Sequence, residues 1–145
     1  ILAATCAARL DLIQLHGRED ASYCRELRRH GLPPLVKVCP VANGGGSAAA
    51  TPKADQLEVE YLLFDLAKGV SAESATRDRL WSAAATAVQD GQRIFLAGGL
   101  TPENVATAVG RVQPFAVDVC SGIESRPGQK DLPAVSRFIA EVHSA

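Results

Sequence analysis

The 145-residue chain reads as an α/β protein built on a parallel sheet, and three observations predict it. Short apolar runs alternate with helix-period stretches along the whole length, at roughly 25 to 30 residues per pair. Residues 93–122, RIFLAGGLTPENVATAVGRVQPFAVDVCSG, hold strand, glycine turn, helix, strand and second glycine turn in one βαβ unit. Its two strands must then run parallel, joined by a right-handed crossover. Predicted strands also end on small or polar groups: His16-Gly17, Asp65, Gly98-Gly99, and Asp118 with Ser121-Gly122. A doubly wound sheet concentrates its site at one switch point, whereas a (β/α)8 barrel builds it from many strand ends, so the pattern favours part of a barrel.

Residues 1–8 resemble the tail of an apolar-faced helix and lack the basic start of a signal peptide. Residues 10–15 alternate: Leu10, Leu12, Gln14 and His16 share one face, and Asp11, Ile13 and Leu15 the other. A helix is predicted over 19–30, with Glu19 and Asp20 in the first turn, Arg28 and Arg29 in the last, and Gly31 just beyond it. Pro33-Pro34 turns the chain into a third run, 35–39. Residues 43–53, NGGGSAAATPK, contain nothing large to bury and predict a flexible insert. Residues 54–59 suit a turn or two of helix, 61–64 a strand ended by Asp65, and 66–79 a small, polar connection bent at Gly69.

Trp81, Ala84, Ala85 and Val88 mark a helix stopped by Asp90-Gly91. Residues 94–97 form the next strand. Thr101-Pro102 then offers an N-cap and a helix-compatible proline before the stripe Val105, Ala108, Val109, Val112. Residues 115–119 read as a buried strand, 121–130 as a loop, and Asp131 as the cap of a last helix with Val135, Phe138, Ile139 and Val142 on one side. The order is a helix tail followed by five strand-helix repeats.

The chain is long enough for one respectable core. A net charge of −1, with cations spread thinly, gives no basic stripe for nucleic acid and no membrane signal. Cys6, Cys24, Cys39 and Cys120 form neither CxxC pairs nor Cys/His clusters, which argues against zinc or a disulfide framework and suits an intracellular setting. A small molecule is the expected partner. The absence of methionine leaves Ile1 without a translation start, so the 145 residues are expected to form one incomplete domain, a fragment or processed product.

Gly98-Gly99 and Ser121-Gly122, each after an apolar strand, would present backbone amides at two neighbouring strand ends, an arrangement suited to phosphate. Asp65, beside the apolar wall 61–64, is either a general acid with a raised pKa or an ordinary loop aspartate. Asp118, on a face with Ala116 and Cys120, is either satisfied structurally or binds a ligand. Gln14 and His16 would face a barrel lumen near its mouth, where structural hydrogen bonding is the alternative. Cys120 reads as packing, and His30 and His143 as helix-end solvent groups.

IQLHGRED, YLLFD, FLAGGLTPENV and FAVDVCSGIESRPGQKD, in that order, resemble the carboxyl-terminal five-eighths of phosphoribosylanthranilate isomerase, a (β/α)8 barrel of tryptophan biosynthesis. The resemblance spans nearly the whole chain. It implies that the strands are the fourth to the eighth, and that N-(5′-phosphoribosyl)anthranilate is rearranged to 1-(o-carboxyphenylamino)-1-deoxyribulose 5-phosphate without cofactor or metal. It implies Asp65 as general acid, Asp118 near the anthranilate amine, and Gly98, Gly99, Ser121 and Gly122 around the phosphate.

The family's general base, a cysteine in a lysine-x-cysteine-glycine motif, and its arginine on the second βα loop have no counterpart in the chain. Its glycine-rich phosphate loop is reduced to GVSAESATRDRLW, which keeps Gly69 and Trp81. The isolated chain is therefore expected to be inactive, and to associate with a missing barrel half or a fused tryptophan-pathway domain, in cytoplasm or plastid. A non-catalytic phosphate-binding half-barrel is one rival. Another phosphosugar barrel is a second, and the GLTPENV and SGIESRPGQKD stretches argue against it.

Overall fold

The computed structural model describes residues 1–42 and 53–145, so all but the last residue of the predicted insert 43–53 lies outside the described residues. Five strands form one parallel sheet in sequence order: β1 (Ile13–Leu15), β2 (Leu35–Val41), β3 (Tyr61–Leu66), β4 (Ile94–Leu96) and β5 (Ala116–Val117). The longest ladder joins β2 to β3, from Val36 opposite Tyr61 to Val41 opposite Leu66. Between the strands run α2 (Ala21–Arg29), α3 (Ser74–Gln89) and α4 (Val105–Val112); α1 (Leu2–Ala8) precedes them and α5 (Leu132–Ser144) follows.

Strand alternation sorts the side chains into two layers. Ile13, Leu15, Leu35, Leu62, Phe64, Ile94 and Leu96 pack with Cys24 and Leu27 of α2, Leu80, Trp81, Ala84 and Ala87 of α3, Val105, Ala108 and Val112 of α4, and Phe138 of α5. These four helices therefore cover one face, where a doubly wound sheet would divide them between two. The opposite face holds a smaller cluster, Val36, Val38, Leu63 and Ala97, edged by Leu12, Tyr61 and Phe95. At the strand starts, Tyr61 and Phe95 each stack on Phe115 and meet each other at a tilt, and the Arg93 guanidinium lies 4.1 Å from the Phe115 ring centre and 4.6 Å from that of Tyr61.

Several boundaries differ from the sequence reading. The predicted strand 10–15 shortens to Ile13–Leu15, the part paired with β2. The helix expected from 19 begins at Ala21, because Asp20 is its cap and accepts from the Tyr23 amide at 2.9 Å. Residues 74–79, read as connection, are the first turns of α3; no capping side chain or apolar repeat precedes Leu80 to signal them. Residues 54–59 close as turns, through a Val59 amide to Ala54 carbonyl bond, without forming a helix.

The fifth strand contracts to Ala116–Val117 and leaves Phe115 56% exposed, not buried. The loop 121–130 contains a 3₁₀ turn, Ser121–Ile123, and a two-strand hairpin, β6 (Glu124–Arg126) with β7 (Gln129–Lys130), turned at Gly128 with φ +79°.

The helix-side core predicts a strong contrast between two truncations. Leu96→Ala, at a fully buried site, should cost about 2–5 kcal/mol in denaturant unfolding. Ile139→Ala, at a half-exposed site, should cost under about 1 kcal/mol.

Candidate active site

Asp65, Ala97 and Asp118 fall in one row across three adjacent strands, since Phe64 pairs with Leu96 and Leu96 with Val117. The Ala97 amide donates to the Phe64 carbonyl and the Asp118 amide to the Leu96 carbonyl, each at 2.8 Å, so the ladder continues past the ends of β4 and β5. Alternation turns the two carboxylates away from the helices, toward the open face. They are separated by two strand spacings, about 10 Å. Asp65 is half-buried, and its Oδ1 accepts from the Leu66 amide at 2.7 Å. Asp118 is exposed, which corrects the expectation of a buried carboxylate: the strand ends one residue before it.

Gly98 and Gly99 follow at once, with φ +88° and +74°. Two consecutive left-handed residues can form a concave run of backbone amides, and side chains could not follow: a Cβ on Gly98 would press on Leu66 and Leu80, one on Gly99 on Ala72. Asn104 holds the turn by donating to the Gly99 carbonyl at 3.0 Å and accepting from the Thr101 amide at 2.9 Å. The predicted cap Thr101 contributes a weaker bond, from the Glu103 amide to its Oγ1 at 3.3 Å.

Ser121 and Gly122 open the 3₁₀ turn beyond β5. A Cβ on Gly122 would overlap the Leu100 carbonyl, so the two glycine turns touch backbone to backbone. Among the described residues none accepts a hydrogen bond from the amides of Gly98, Gly99, Ser121 or Gly122. These donors lie at the same strand ends as the two carboxylates.

Lys130 braces the second turn: its Nζ donates to the Cys120 carbonyl at 2.8 Å and to Glu124 Oε1 at 2.9 Å. Hydrogen bonds from Lys130 and the Gly128 amide hold the Glu124 carboxyl below its usual range. Cys120 is exposed here instead of packed within a strand, with its sulfur 3.7 Å from Lys130 Nζ. Burial pushes the thiols of Cys24 and Cys39 up, with Lys37 partly offsetting it, which suits packing roles.

Gln14 and His16 share the open face as expected, and both are exposed. Gln14, however, pairs with Val36, which pairs with Tyr61, four residues before Asp65. It therefore sits about 13 Å short of the Asp65 row measured along the strands. His16 is two residues nearer. The ladder groups Asp65 with Asp118 and sets Gln14 apart.

Lys37 is a buried group that periodicity could not single out. From β2 its Nζ donates to the Gly17 carbonyl at 2.8 Å, the Leu15 carbonyl at 3.4 Å and Glu19 Oε2 at 2.9 Å. The Gly17 amide donates to the same Glu19 oxygen at 2.9 Å, so the pair holds Gly17 by both its amide and its carbonyl. Burial works against an ionised Glu19, but the bonds from Lys37 and Gly17 outweigh it and the carboxyl lies below its ordinary 4.5.

The described residues contain no group of three metal-ligating side chains and no helix long and apolar enough to cross a membrane.

The family described as N-(5′-phosphoribosyl)anthranilate (PRA) isomerase matches residues 1–141. The N-(5′-phosphoribosyl)anthranilate isomerase of Geobacter sp. (strain M21) is 45% identical over 140 residues, which are 96% of this chain and 63% of that protein. The chain thus spans about three-fifths of this relative. The crystal structure of phosphoribosyl anthranilate isomerase from Thermus thermophilus superposes with a TM-score of 0.78 at 29% identity, covering 99% of this chain and 66% of that one. A phosphoribosyl anthranilate isomerase in complex with reduced 1-(o-carboxyphenylamino)-1-deoxyribulose 5-phosphate gives a TM-score of 0.71 at 28% identity, over 100% of this chain and 66% of that one.

The Glu19–Lys37 pair predicts a pH signature. A carboxyl whose pKa is depressed by folding stabilises fully above its unfolded value and loses that contribution as pH falls through the folded one. Glu19→Gln should therefore be less stable than the parent by about 1–3 kcal/mol at pH 7, and the gap in urea unfolding should close as pH drops below 4.5.

Proposed function

The chain belongs to the N-(5′-phosphoribosyl)anthranilate isomerase family, and from that premise we propose that it forms the five carboxyl-terminal βα units, strands four to eight, of a (β/α)8 barrel. That barrel carries out the Amadori rearrangement of N-(5′-phosphoribosyl)anthranilate in tryptophan biosynthesis. The observation that carries the proposal is the meeting of the two glycine turns, Gly122 against the Leu100 carbonyl, beside the row of Asp65 and Asp118. Unpaired amides at consecutive strand ends suit a phosphate. A relative holding a phosphorylated product analogue supports the same assignment.

In this reading the phosphate sits on the amides of Gly98, Gly99, Ser121 and Gly122, and the sugar extends across the open face toward β3. Asp65 delivers a proton to the ribose ring oxygen as the C1′–O bond breaks, leaving the anthranilate nitrogen doubly bonded to C1′. Asp118 accepts from the anthranilate N–H, and His16 flanks the far side of the ring. Loss of the C2′ proton gives the enol, which rearranges to the ketone. The resemblance puts the base for that step on a cysteine motif absent from these 145 residues. The chain would then hold and protonate its substrate without completing the reaction alone.

The partial-barrel reading draws support from where large apolar side chains are exposed. Ile1, Leu10 and Tyr23 lie in or before the first unit, and Phe115, Leu132 and Ile139 in the last; among the described residues the large exposed apolar side chains spare the middle units. Further βα units packed against β1 and β5 would cover both sets and pair the two open ladder edges.

The decisive measurement joins the chain to the three amino-terminal βα units of a relative and follows the fluorescent substrate. Turnover is expected in the joined protein and none in the chain alone, with Asp65→Asn lowering kcat by about 10²–10⁴-fold. A folded joined protein that binds phosphate without turnover would favour the non-catalytic half-barrel instead.

A further inference from the structure

We propose that Asn104 is a positioning residue that sets the geometry of both glycine turns, and through them the affinity for a phosphate group. The proposal rests on the phosphate reading of those turns.

Its side chain makes two hydrogen bonds to backbone of the preceding turn, Nδ2 to the Gly99 carbonyl and Oδ1 from the Thr101 amide. The two bonds act on successive peptides. Because carbonyl and amide of a trans peptide point in opposite directions, fixing the Gly99 carbonyl toward Asn104 turns the Leu100 amide away from it. The Thr101 amide is meanwhile consumed by Oδ1. Asn104 thus decides which amides of the turn remain free: those of Gly98, Gly99 and Leu100 stay available while Thr101 is withdrawn.

The effect extends to the second turn. The Leu100 carbonyl is the group against which Gly122 packs without room for a Cβ. Holding peptides 99–101 therefore also holds the surface on which Ser121 and Gly122 rest. Among the described residues, the other side chain capping the start of α4 does not do this: Thr101 Oγ1 accepts from the Glu103 amide, within its own turn. The task needs a donor and an acceptor set apart on one short side chain, which the carboxamide of asparagine supplies. Asn104 is half-buried, so neither bond is readily replaced by water.

The test uses the ¹⁵N-labelled chain and inorganic phosphate as probe, following the amide signals of residues 98–100, 121 and 122 together with the thermal midpoint. Phosphate should move these signals in the parent chain. Asn104→Ala should weaken binding about tenfold and damp the response at both turns. Asn104→Ser, which retains a short acceptor near the cap, guards against a variant that fails to fold and should show the same weakening. Thr101→Val, which removes the other side-chain bond at the start of this helix, should lower the midpoint while leaving phosphate affinity within about twofold.

Wild-type affinity in Asn104→Ser or Asn104→Ala, or an equal loss in Thr101→Val, would overturn the role of Asn104 and leave the phosphate reading standing. A parent chain whose turn signals ignore phosphate would overturn both.

Discussion

The parallel ladder between β2 and β3 is the constraint on which the other elements depend. It is the longest ladder in the sheet, and the first three residues of β2 take up β1 while the middle of β3 takes up β4. It also carries the interior on both faces: Leu35, Leu62 and Phe64 toward the helices, Val36, Val38 and Leu63 toward the open side, all nearly free of solvent contact. Strands buried on both faces read as continuous apolar runs, and LVKVCPV and YLLFDL are such runs apart from one interior charge each. Of those two charges, Asp65 is where the ladder meets the candidate chemistry, and Lys37 braces the turn after β1.

Apolar periodicity carried the architecture well because it is a local signal. The stripe Val105, Ala108, Val112 and the runs 61–64 and 94–97 sit in the structure where the spacing puts them. Local reading failed where tertiary contacts override it. Residues 74–79 have no apolar repeat, yet Thr76 is buried and the segment is helical. Phe115 looks like core by composition and instead stacks at the strand starts, with Arg93 over its ring.

The site divides along the same line. The position of Asp65, Asp118 and the four turn residues at or just beyond the ends of apolar runs was legible, although β3 continues through Asp65 to Leu66. The polar side chains that hold them were not, since each acts on backbone elsewhere: Lys37 reaches the Gly17 carbonyl across 20 positions, and Lys130 the Cys120 carbonyl across 10. Even Asn104, inside the GLTPENV motif, was masked by Thr101-Pro102, the more conventional capping signal. An asparagine's bond to a carbonyl five residues back follows from the turn's conformation, which spacing does not encode.

The acids and the amides are held by different physics, and this separates how tightly each is specified. A one-residue slip of β3 would drive Asp65 among Leu80 and Trp81 and expel Phe64, so the cost of burying an unpaired carboxylate enforces its direction. Val117 of β5 and Asp118 just past its end stand in the same relation. Such positions need no device of their own; the core that stabilises the sheet also orients them. The amide turns are anchored in that core through Leu100 and Ile123, but the core does not orient their N–H groups. Their donors become available through the left-handed Gly98 and Gly99, a backbone contact at Gly122 and two polar braces, Asn104 and Lys130, all of them local and individually small. Substitutions in the helix-side core should therefore act on stability with the carboxylates still correctly placed, whereas changes around residues 98–104 and 120–130 can disorganise the donor set in a chain that remains folded.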